Sequence, residues 1–266
     1  MSASTPLSIV VPAYNERARL GRTLAALLDY LAASRPGAEV LVVDDGSTDD
    51  TARLVERVAA EWSARQQRGA PAGREAPVRV RVLRHPRNLG KGAAVRTGVR
   101  QATGRLIVFL DADLSAPPEE LPRLLAPLES PGGPDVAIGS RRVEGAAIEV
   151  SQPRHRVLIG RLFNRAMARL LVPGVRDTQC GFKGFRREAA QRLFERSRVR
   201  GFGFDLEILF LARQLGLVVQ EVPIRWRDDA RSHVRLARDG LRVLAEVVKI
   251  LANWVTGRYR VTAPAS

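Results

Sequence analysis

Residues 7–45, LSIVVPAYNERARLGRTLAALLDYLAASRPGAEVLVVDD, contain the pattern that decides the fold. Two short apolar runs, Leu7–Pro12 and Val40–Val43, are typical of strands that are buried on both faces. The segment between them, Arg19–Ala33, carries leucines at helical spacing: Leu20, Leu24, Leu27, Leu28 and Leu31. A strand, a helix and a second strand in this order predict a βαβ unit with parallel strands.

The same alternation continues through the first half of the chain. It predicts, in order, a helix at Thr51–Ala64, a strand at Val78–Leu83, a helix at Gly92–Ala102 and strands at Leu106–Leu110 and Asp135–Gly139. This pattern predicts an α/β fold with a mainly parallel central sheet that is covered by helices on both faces. Ligands of such sheets bind beyond the carboxyl ends of the strands.

One segment interrupts the alternation. Residues 65–77, RQQRGAPAGREAP, lack apolar periodicity and are rich in glycine, proline and arginine. Such a composition is typical of loops, so we predict a surface insertion here.

The composition is that of an ordinary globular protein, with 266 residues of which 45% are hydrophobic and 27% charged. The single cysteine excludes a disulfide within the chain, which suits a reducing compartment. Neither a signal-peptide pattern nor a run of 18 apolar residues is present, so we expect no transmembrane segment. The net charge of +15 indicates a polyanionic partner: nucleic acid, an anionic membrane surface or a phosphorylated substrate.

Two segments in the second half have the pattern of basic amphipathic helices. Val157–Leu171 carries apolar residues on one face and arginines at every fourth position on another, and residues 236–256 repeat the combination. Helices of this kind either pack against the core or lie in a membrane interface. We expect residues 154–172 and 236–256 to rest on an anionic bilayer, with core packing or subunit contacts as the alternative.

Acidic side chains are predicted to follow strands at three places. Asp44–Asp45 comes after the second apolar run, Asp111 and Asp113 come after LIVFL, and Asp205–Glu207 follows a glycine-rich segment. Carboxylates that converge on one crevice repel each other unless a cation or hydrogen-bond donors offset the charge. Mg²⁺ and Mn²⁺ suit a carboxylate pair because they complete their shell with waters and ligand phosphates. We therefore predict Asp111 and Asp113 as metal ligands.

Two loops carry less specific patterns. Asn88–Ala93 places Lys91 between glycines before a helix, where backbone and cation can approach an anion, although it is not the GxxxxGK[ST] pattern of P-loop enzymes. Arg176–Lys183 collects polar, charged and small residues. Within it, Cys180 lacks a thiolate-activating neighbour in sequence, so we do not expect a nucleophilic thiol.

Taken together, several motifs resemble those of glycosyltransferase family 2, inverting enzymes of the GT-A fold. They are Val11–Glu16 (VPAYNE), Val43–Ser47 (VDDGS), Asn88–Gly92 (NLGKG), Asp111–Asp113 (DAD) and Gly139–Arg141 (GSR). Three more are similar to the dolichyl-phosphate glucosyltransferase branch, to which dolichol-phosphate mannose synthase is related: Asp177–Lys183 (DTQCGFK), Phe204–Glu207 (FDLE) and Glu221–Trp226 (EVPIRW). Two departures from this branch are expected: the insertion at residues 65–77, and the lack of the N-terminal membrane anchor found in its eukaryotic glucosyl members.

The resemblance implies a nucleotide-sugar site. It assigns the base and ribose of the donor to four residues near the first two strands: Pro12, Tyr14, Glu16 and Asp45. Asp111 and Asp113 would place Mg²⁺ or Mn²⁺ on the donor diphosphate and neutralise the charge that develops on the leaving group. Lys91 would add a positive charge nearby.

The resemblance also implies a polyprenyl phosphate acceptor and a β-linked product. A phosphate monoester has its second pKa near ~6, so it is largely a dianion at neutral pH and needs no general base, unlike a sugar hydroxyl. It needs cations instead, and the candidates are Arg141, Arg156 and Lys183. Of the candidate catalytic carboxylates besides Asp113, Asp177 would orient these cations or the sugar, and Asp205 falls where polysaccharide-forming relatives keep their base.

On this interpretation residues 1–235 form a GT-A catalytic domain and residues 236–266 an amphipathic helix and tail. We expect a cytoplasmic enzyme, peripheral on the inner face of the membrane, with UDP-glucose as the favoured donor. GDP-mannose, UDP-GalNAc and UDP-GlcNAc stay open as donors, and a soluble saccharide stays open as acceptor. Nucleic-acid binding is disfavoured because aromatic residues make up 5% of the chain and no nucleic-acid motif is present.

Overall fold

The computed structural model describes residues 7–68, 76–150, 169–227 and 236–260. The strands in this part of the chain are β1 (Leu7–Ala13), β2 (Glu39–Asp44), β3 (Arg79–Arg84), β4 (Leu106–Leu110), β5 (Val136–Ser140), β6 (Ala147–Val150), β7 (Phe182–Arg186), β8 (Val219–Pro223) and β9 (Arg225–Arg227). The α-helices that lie wholly within the described ranges are α1 (Arg17–Ser34), α2 (Thr51–Arg68), α3 (Lys91–Gln101), α4 (Leu121–Glu129), α5 (Arg187–Arg196), α6 (Phe204–Gln214) and α7 (Leu236–Val255). A 3₁₀ turn, Pro118–Glu120, precedes α4.

A seven-stranded sheet in the order β3-β2-β1-β4-β7-β5-β8 forms the centre of the fold. Strand β7 runs antiparallel to both of its neighbours, and all other pairs in this sheet are parallel. Strands β6 and β9 pair in a separate two-stranded sheet. The carboxyl ends of β1, β2, β4 and β5 therefore lie at the same edge as the amino end of β7.

The apolar runs form the core, as their composition predicts. Strands β1, β2, β4 and β5 are buried along their whole length. Helix α3 approaches β1 closely at Gly98, where a Cβ atom would overlap a methyl group of Val10. Helix α1 turns toward the core the leucines that predicted it: Leu20, Leu24, Leu27, Leu28 and Leu31.

The predicted order of strands and helices in the first half is confirmed, but the predicted insertion is shorter. Helix α2 continues to Arg68 and so overlaps residues 65–77. Buried Trp62 extends the packed side of this helix and donates its indole N–H to the carbonyl of Val78 at 3.1 Å. Residues 69–75 lie outside the described residues.

The third acidic cluster does not follow a strand, contrary to the prediction. Asp205 and Glu207 lie in the first turn of α6 and are buried. The glycines of residues 200–204 end the preceding extended segment, and the apolar run after them favours a helix, whose first turn favours acidic residues.

Helix α7 confirms the helix predicted at residues 236–256. The tertiary structure shows which of its side chains are buried and which are exposed. It packs on the body through Val243, Val247 and Ile250, which are buried. The apolar side that the sequence pattern predicts is exposed at the four positions whose side chains the structure describes: Leu244 (44%), Val248 (66%), Leu251 (37%) and Val255 (84%). We call these four residues the apolar stripe.

The helix predicted at Val157–Leu171 lies mostly outside the described residues; residues 169–171 are helical. None of the helices in the described ranges combines the length and the apolar character that crossing a membrane requires.

Candidate active site

An open cavity of about 610 Å³ lies beyond the carboxyl ends of the first three strands. Of the residues predicted to hold the base and ribose, Tyr14 lines it, whereas Pro12, Glu16 and Asp45 do not. The remaining lining comes from two loops: Gly46, Ser47, Thr48, Arg84, His85, Pro86, Arg87 and Asn88. The second loop, Arg84–Asn88 (RHPRN), was not predicted as a wall of the site, although this basic and polar run directly follows a predicted strand.

Asp45 does not line this cavity but binds the loop that forms one of its walls. Its carboxylate accepts hydrogen bonds from the backbone N–H groups of Leu89 (2.9 Å) and Gly90 (2.8 Å), and it pairs with Nδ1 of His85 at 2.7 Å. The neighbouring Gly46 has φ 69°, and a Cβ atom there would overlap the backbone of the facing loop. Asp45 therefore holds the loop that forms one wall of the cavity.

Asp111 and Asp113 lie where strand β4 ends. The Lys91 ammonium is 2.6 Å from Asp111, and although burial opposes its charge, the carboxylates of Asp111, Asp205 and Asp113 raise the pKa of this lysine. Burial and the nearby charge of Asp111 raise the pKa of Asp113. The two aspartates thus form a pair of carboxylates whose negative charge Lys91 neutralises in part.

The turn that carries Asp113 is shaped by two local contacts. Leu114 has φ 50°, an uncommon conformation for leucine, and the N–H of Ser115 donates to Asp113 at 3.0 Å. Arg19 lies 3.9 Å from the other carboxylate oxygen of Asp113, and Glu16 binds the Arg19 guanidinium. Glu16 therefore contacts the site through an arginine.

The Asp111–Asp113 pair fits a divalent cation. Asp111 and Asp113 would supply two carboxylates, and no cluster of three or more candidate ligand side chains occurs within the described ranges. Mg²⁺ and Mn²⁺ accept this donor set, since they keep waters and bind ligand phosphates. Gly181 leaves the room that the Asp111 carboxylate needs, because a Cβ atom there would overlap it.

A second group of polar side chains surrounds Asp177, which is buried. Arg141 donates to it from Nε (2.7 Å) and Nη2 (2.9 Å), and its guanidinium lies 4.7 Å from the centre of the Trp226 ring. Burial opposes ionisation, but the Arg141 charge holds the pKa of Asp177 below its ordinary value. Glu221 fixes the backbone here by accepting the N–H groups of Arg176 (2.7 Å) and Asp177 (2.9 Å). Arg141 is therefore held in one orientation by a charged and an aromatic partner.

Lys183 is fully buried on β7 and does not reach the surface. Its ammonium donates to the carboxylate of Asp205 and to the carbonyl of Cys180, 2.6 Å away. Burial is the main cause that raises the pKa of Asp205, and Lys183 opposes it. The Cys180 thiol is buried as well, which raises its pKa to about 12 and disfavours a nucleophilic thiolate.

The carboxylate of Glu207 is surrounded by hydrogen-bond donors of the fold. It accepts the backbone N–H groups of Arg198 (2.8 Å) and Val199 (2.9 and 3.0 Å) and the hydroxyl of Tyr259 at 2.7 Å. This carboxylate joins the start of α6 to the chain that follows α7.

The structure brings most of the predicted residues to one edge of the sheet. The N–H of Asp111 donates to the carbonyl of Gly181 at 3.1 Å, so the DAD and DTQCGFK motifs are in direct contact. Arg156, the third predicted cation, lies outside the described residues.

The sequence model of glycosyl transferase family 2 matches residues 8–194. Dolichyl-phosphate beta-glucosyltransferase of Drosophila melanogaster is 35% identical, with 98% of this chain and 79% of the fly protein covered. The protein of the same name from Homo sapiens is 32% identical, with 97% and 79% covered.

Among solved structures, glucosyl-3-phosphoglycerate synthase from Mycobacterium tuberculosis with Mn²⁺, UDP and glucosyl-3-phosphoglycerate superimposes with a TM-score of 0.65. The two sequences are 21% identical, and 92% of this chain and 80% of that chain are covered. This likeness shows the GT-A fold. Because the family model covers more than half of the chain and relatives align along nearly all of it, the chain belongs to glycosyl transferase family 2.

Proposed function

We propose that this glycosyltransferase moves glucose from UDP-glucose to a dolichyl or related polyprenyl phosphate, with inversion to a β-linked product. The names of its relatives support the acceptor and the sugar. The observation that carries the proposal is the state of Asp205. This carboxylate is 3% exposed and bound by Lys183, an arrangement that suits an acceptor which needs no base.

The donor side binds the nucleotide sugar. The cavity at Tyr14 takes the nucleoside, and Asp45 holds its wall in place. Asp111 and Asp113 hold Mg²⁺ or Mn²⁺, which when bound offsets the negative charge of the leaving diphosphate. Lys91, next to Asp111, contributes a further positive charge at the same position.

The acceptor side binds a phosphate. A guanidinium has five N–H donors, and the Asp177 ion pair uses two of those of Arg141. Its orientation is set by Asp177 and Trp226, so its other donors are presented to an anion in a fixed geometry. Lys183 acts indirectly in this proposal, by holding Asp205. Arg156 stays a candidate for the same phosphate.

The lipid acceptor requires contact with a membrane, and α7 offers a surface for it. The apolar stripe is exposed, and Arg242 and Lys249 on the same helix are exposed as well. Apolar side chains flanked by cations bind anionic interfaces through both burial and charge. We place the enzyme on the cytoplasmic face, as a peripheral protein.

The test is transfer of radiolabelled sugar from a panel of UDP- and GDP-sugars to a short-chain polyprenyl phosphate, with Mg²⁺ or Mn²⁺. We expect label in the organic phase from UDP-glucose, and none from an Asp113→Ala variant. Label from another donor would correct the sugar and keep the reaction. Metal-dependent donor hydrolysis without any lipid product would reject the lipid acceptor in favour of a soluble saccharide, with Asp205 as the base.

Membrane contact is tested separately with anionic vesicles that contain no prenyl phosphate. We expect the wild type to sediment with the vesicles and a Leu244→Ser/Val248→Ser variant to bind at least about tenfold more weakly, since each buried apolar side chain contributes roughly 1.5–3 kcal/mol. Equal sedimentation of the two proteins would exclude the apolar stripe as the contact surface.

A further inference from the structure

Glu246 connects α7 to a glycine-rich segment, residues 200–204, that borders the donor side. Its carboxylate accepts the N–H of Gly201 at 3.1 Å and the N–H of Gly203 at 2.6 Å. Hydrogen bonds to an ionised acceptor are stronger than those between neutral groups. Glu246 is therefore a polar anchor between α7 and this segment.

The two glycines are required by the contact. A Cβ atom at Gly201 would overlap one oxygen of Glu246, and a Cβ atom at Gly203 would lie 2.7 Å from the other. The backbone of the segment thus approaches the carboxylate as closely as glycine alone allows. The spacing of glycines in RGFGF reflects a partner on a distant helix.

The opposite side of the segment packs on the first turn of α3. The N–H of Ala93 donates to the carbonyl of Arg200 at 3.2 Å. A Cβ atom at Gly90 would overlap that carbonyl, and a Cβ atom at Gly92 would lie 2.5 Å from the Cβ of Phe204. Helix α7, the segment and the start of α3 are therefore in contiguous contact.

The Lys91 ammonium lies at the end of this series of contacts. Its nitrogen is 6.0 Å from the ring centre of Phe202 and 5.8 Å from that of Phe204. Aromatic rings within about 6 Å attract a cation and limit its positions. The same nitrogen is 2.6 Å from Asp111, so the segment and the carboxylate hold it from two sides.

We infer that Glu246 is a positioning residue for the donor site: it holds the glycine-rich segment against the first turn of α3 and thereby keeps the Lys91 ammonium beside Asp111. The inference rests on the proposed function, which assigns Lys91 to the donor diphosphate, and adds a determinant that touches neither donor nor acceptor. It makes α7 a support of the donor side as well as the bearer of the apolar stripe.

Loss of the Glu246 carboxylate is expected to affect the donor side and to leave the acceptor side unchanged. Without a full carboxylate at position 246, one of the two N–H groups loses its acceptor, and the segment moves to satisfy it. Phe202 and Phe204 then no longer confine Lys91. Binding of the nucleotide sugar and departure of its diphosphate both weaken, whereas Arg141 and Asp177 on the acceptor side keep their contacts.

The experiment compares Glu246→Gln with Val247→Ala in the full chain. The glutamine retains one acceptor oxygen and presents an NH₂ group to the second N–H, whereas the alanine loosens the packing of α7 but leaves both hydrogen bonds. We measure the UDP-glucose Kd with Mn²⁺, kcat, and the acceptor KM, with thermal unfolding to confirm folding. For Glu246→Gln we expect about a tenfold loss in kcat/KM for the donor, and an acceptor KM within about twofold of the wild type.

A double-mutant cycle with Lys91→Met identifies the route of the effect. If Glu246 acts through Lys91, the Glu246→Gln substitution changes the donor Kd in the wild-type background and has little further effect in Lys91→Met. The Val247→Ala change is expected to have the same effect in both backgrounds.

Five outcomes overturn the inference, one of them together with the proposed function. Equal losses in Glu246→Gln and Val247→Ala would mean that α7 docking alone matters, a raised acceptor KM would mean a general disturbance, and additive effects in the cycle would exclude Lys91. A wild type that binds no nucleotide sugar would overturn the proposed function together with the inference, whereas an active wild type and an unaffected Glu246→Gln would overturn the inference alone.

Discussion

The proposed donor side and the proposed acceptor side of the site balance their charges in different ways. On the donor side, Lys91 pairs with Asp111, and Arg19, which lies 3.9 Å from Asp113, is also bound by Glu16. Burial and the nearby charge of Asp111 raise the pKa of Asp113. On the acceptor side, Asp177 and Asp205 each have a cation of their own in a buried ion pair.

The difference shows which side needs a ligand to complete its charge. Asp111, Asp113 and Glu16 together with Lys91 and Arg19 leave one negative charge, which a divalent metal can offset. On the proposed acceptor side, the ion pair with Arg141 offsets the charge of Asp177 without any ligand, and it fixes the orientation of Arg141. Removing a donor-side carboxylate should therefore impair chemistry, whereas removing an acceptor-side partner should impair folding or acceptor affinity.

The largest effect is expected on the donor side. Asp113→Ala removes half of the carboxylate pair, and we expect roughly a 10³-fold loss in kcat, because charge on the leaving diphosphate is no longer offset. Sugar transfer to lipid and Mn²⁺ binding by calorimetry measure it. Chelation of the metal with EDTA should reduce wild-type transfer to a similar level.

The control is Asp29→Asn, which removes an exposed carboxylate whose ion pair with Arg65 lies on α1 and α2. Exposed pairs contribute about 1 kcal/mol or less, so transfer should be unchanged. If Asp113→Ala retained wild-type transfer, the assignment of this pair to the metal would be wrong.

The second largest effect is expected on stability. Lys183→Met leaves the Asp205 carboxylate buried without its partner, which should lower the free energy of unfolding by about 3–5 kcal/mol. Urea unfolding measures the change, and Lys183→Met/Asp205→Leu should recover most of it because both charges are gone. If Lys183→Met kept its stability and raised only the acceptor KM, Lys183 would be an acceptor-phosphate ligand, as the sequence indicates.

A smaller effect is expected for Arg141→Lys. Lysine keeps the charge but loses the two-point contact with Asp177 and the stacking on Trp226. We expect the acceptor KM to rise about tenfold, in line with the loss of one charge-assisted hydrogen bond, while the donor KM stays unchanged. Steady-state kinetics with each substrate varied in turn separate the two constants. A change confined to the donor KM would contradict the division into two sides.

The smallest effect is the pH dependence of the Arg141–Asp177 pair. The folded pKa of Asp177 is lowered, so its contribution to stability is complete above the unfolded pKa near 3.8 and is lost as the pH falls through the folded value. The stability difference between wild type and Asp177→Asn should be constant from pH 7 to pH 5 and shrink below about pH 4. Urea unfolding at several pH values measures it. A difference that stays the same down to pH 3 would show that the charge of Asp177 does not stabilise the fold.

Several features of the site depended on contacts that no local pattern specifies. His85 and Arg87 line the cavity because Asp45 and Gly46 hold their loop against β2, an arrangement that joins residues about forty positions apart. The sequence indicated Glu207 only as part of an acidic cluster and gave no role to Glu246, yet both bind backbone N–H groups of the loop before α6. Their roles follow from the packing of α6 and α7.

Helix α7 shows the limit of a periodic pattern most clearly. Its apolar residues form one wide face, so spacing predicts the helix and leaves open which part of that face is buried. The body covers Val243, Val247 and Ile250 and leaves the apolar stripe exposed. The surface proposed for lipid contact was therefore identified by the tertiary structure.

The sequence by itself determined the alternation of strands and helices, the carboxylate pair at the end of β4 that we propose as the metal site, and the family. These depend on local periodicity and on short motifs, which the chain carries in consecutive residues. The tertiary structure alone decided the partners of the buried charges. Strand β7 enters the sheet antiparallel between β4 and β5, and this placement buries Lys183 beside Asp205 and brings Gly181 to Asp111. Such pairings arise from the order of strands in space, which the order of residues along the chain does not contain.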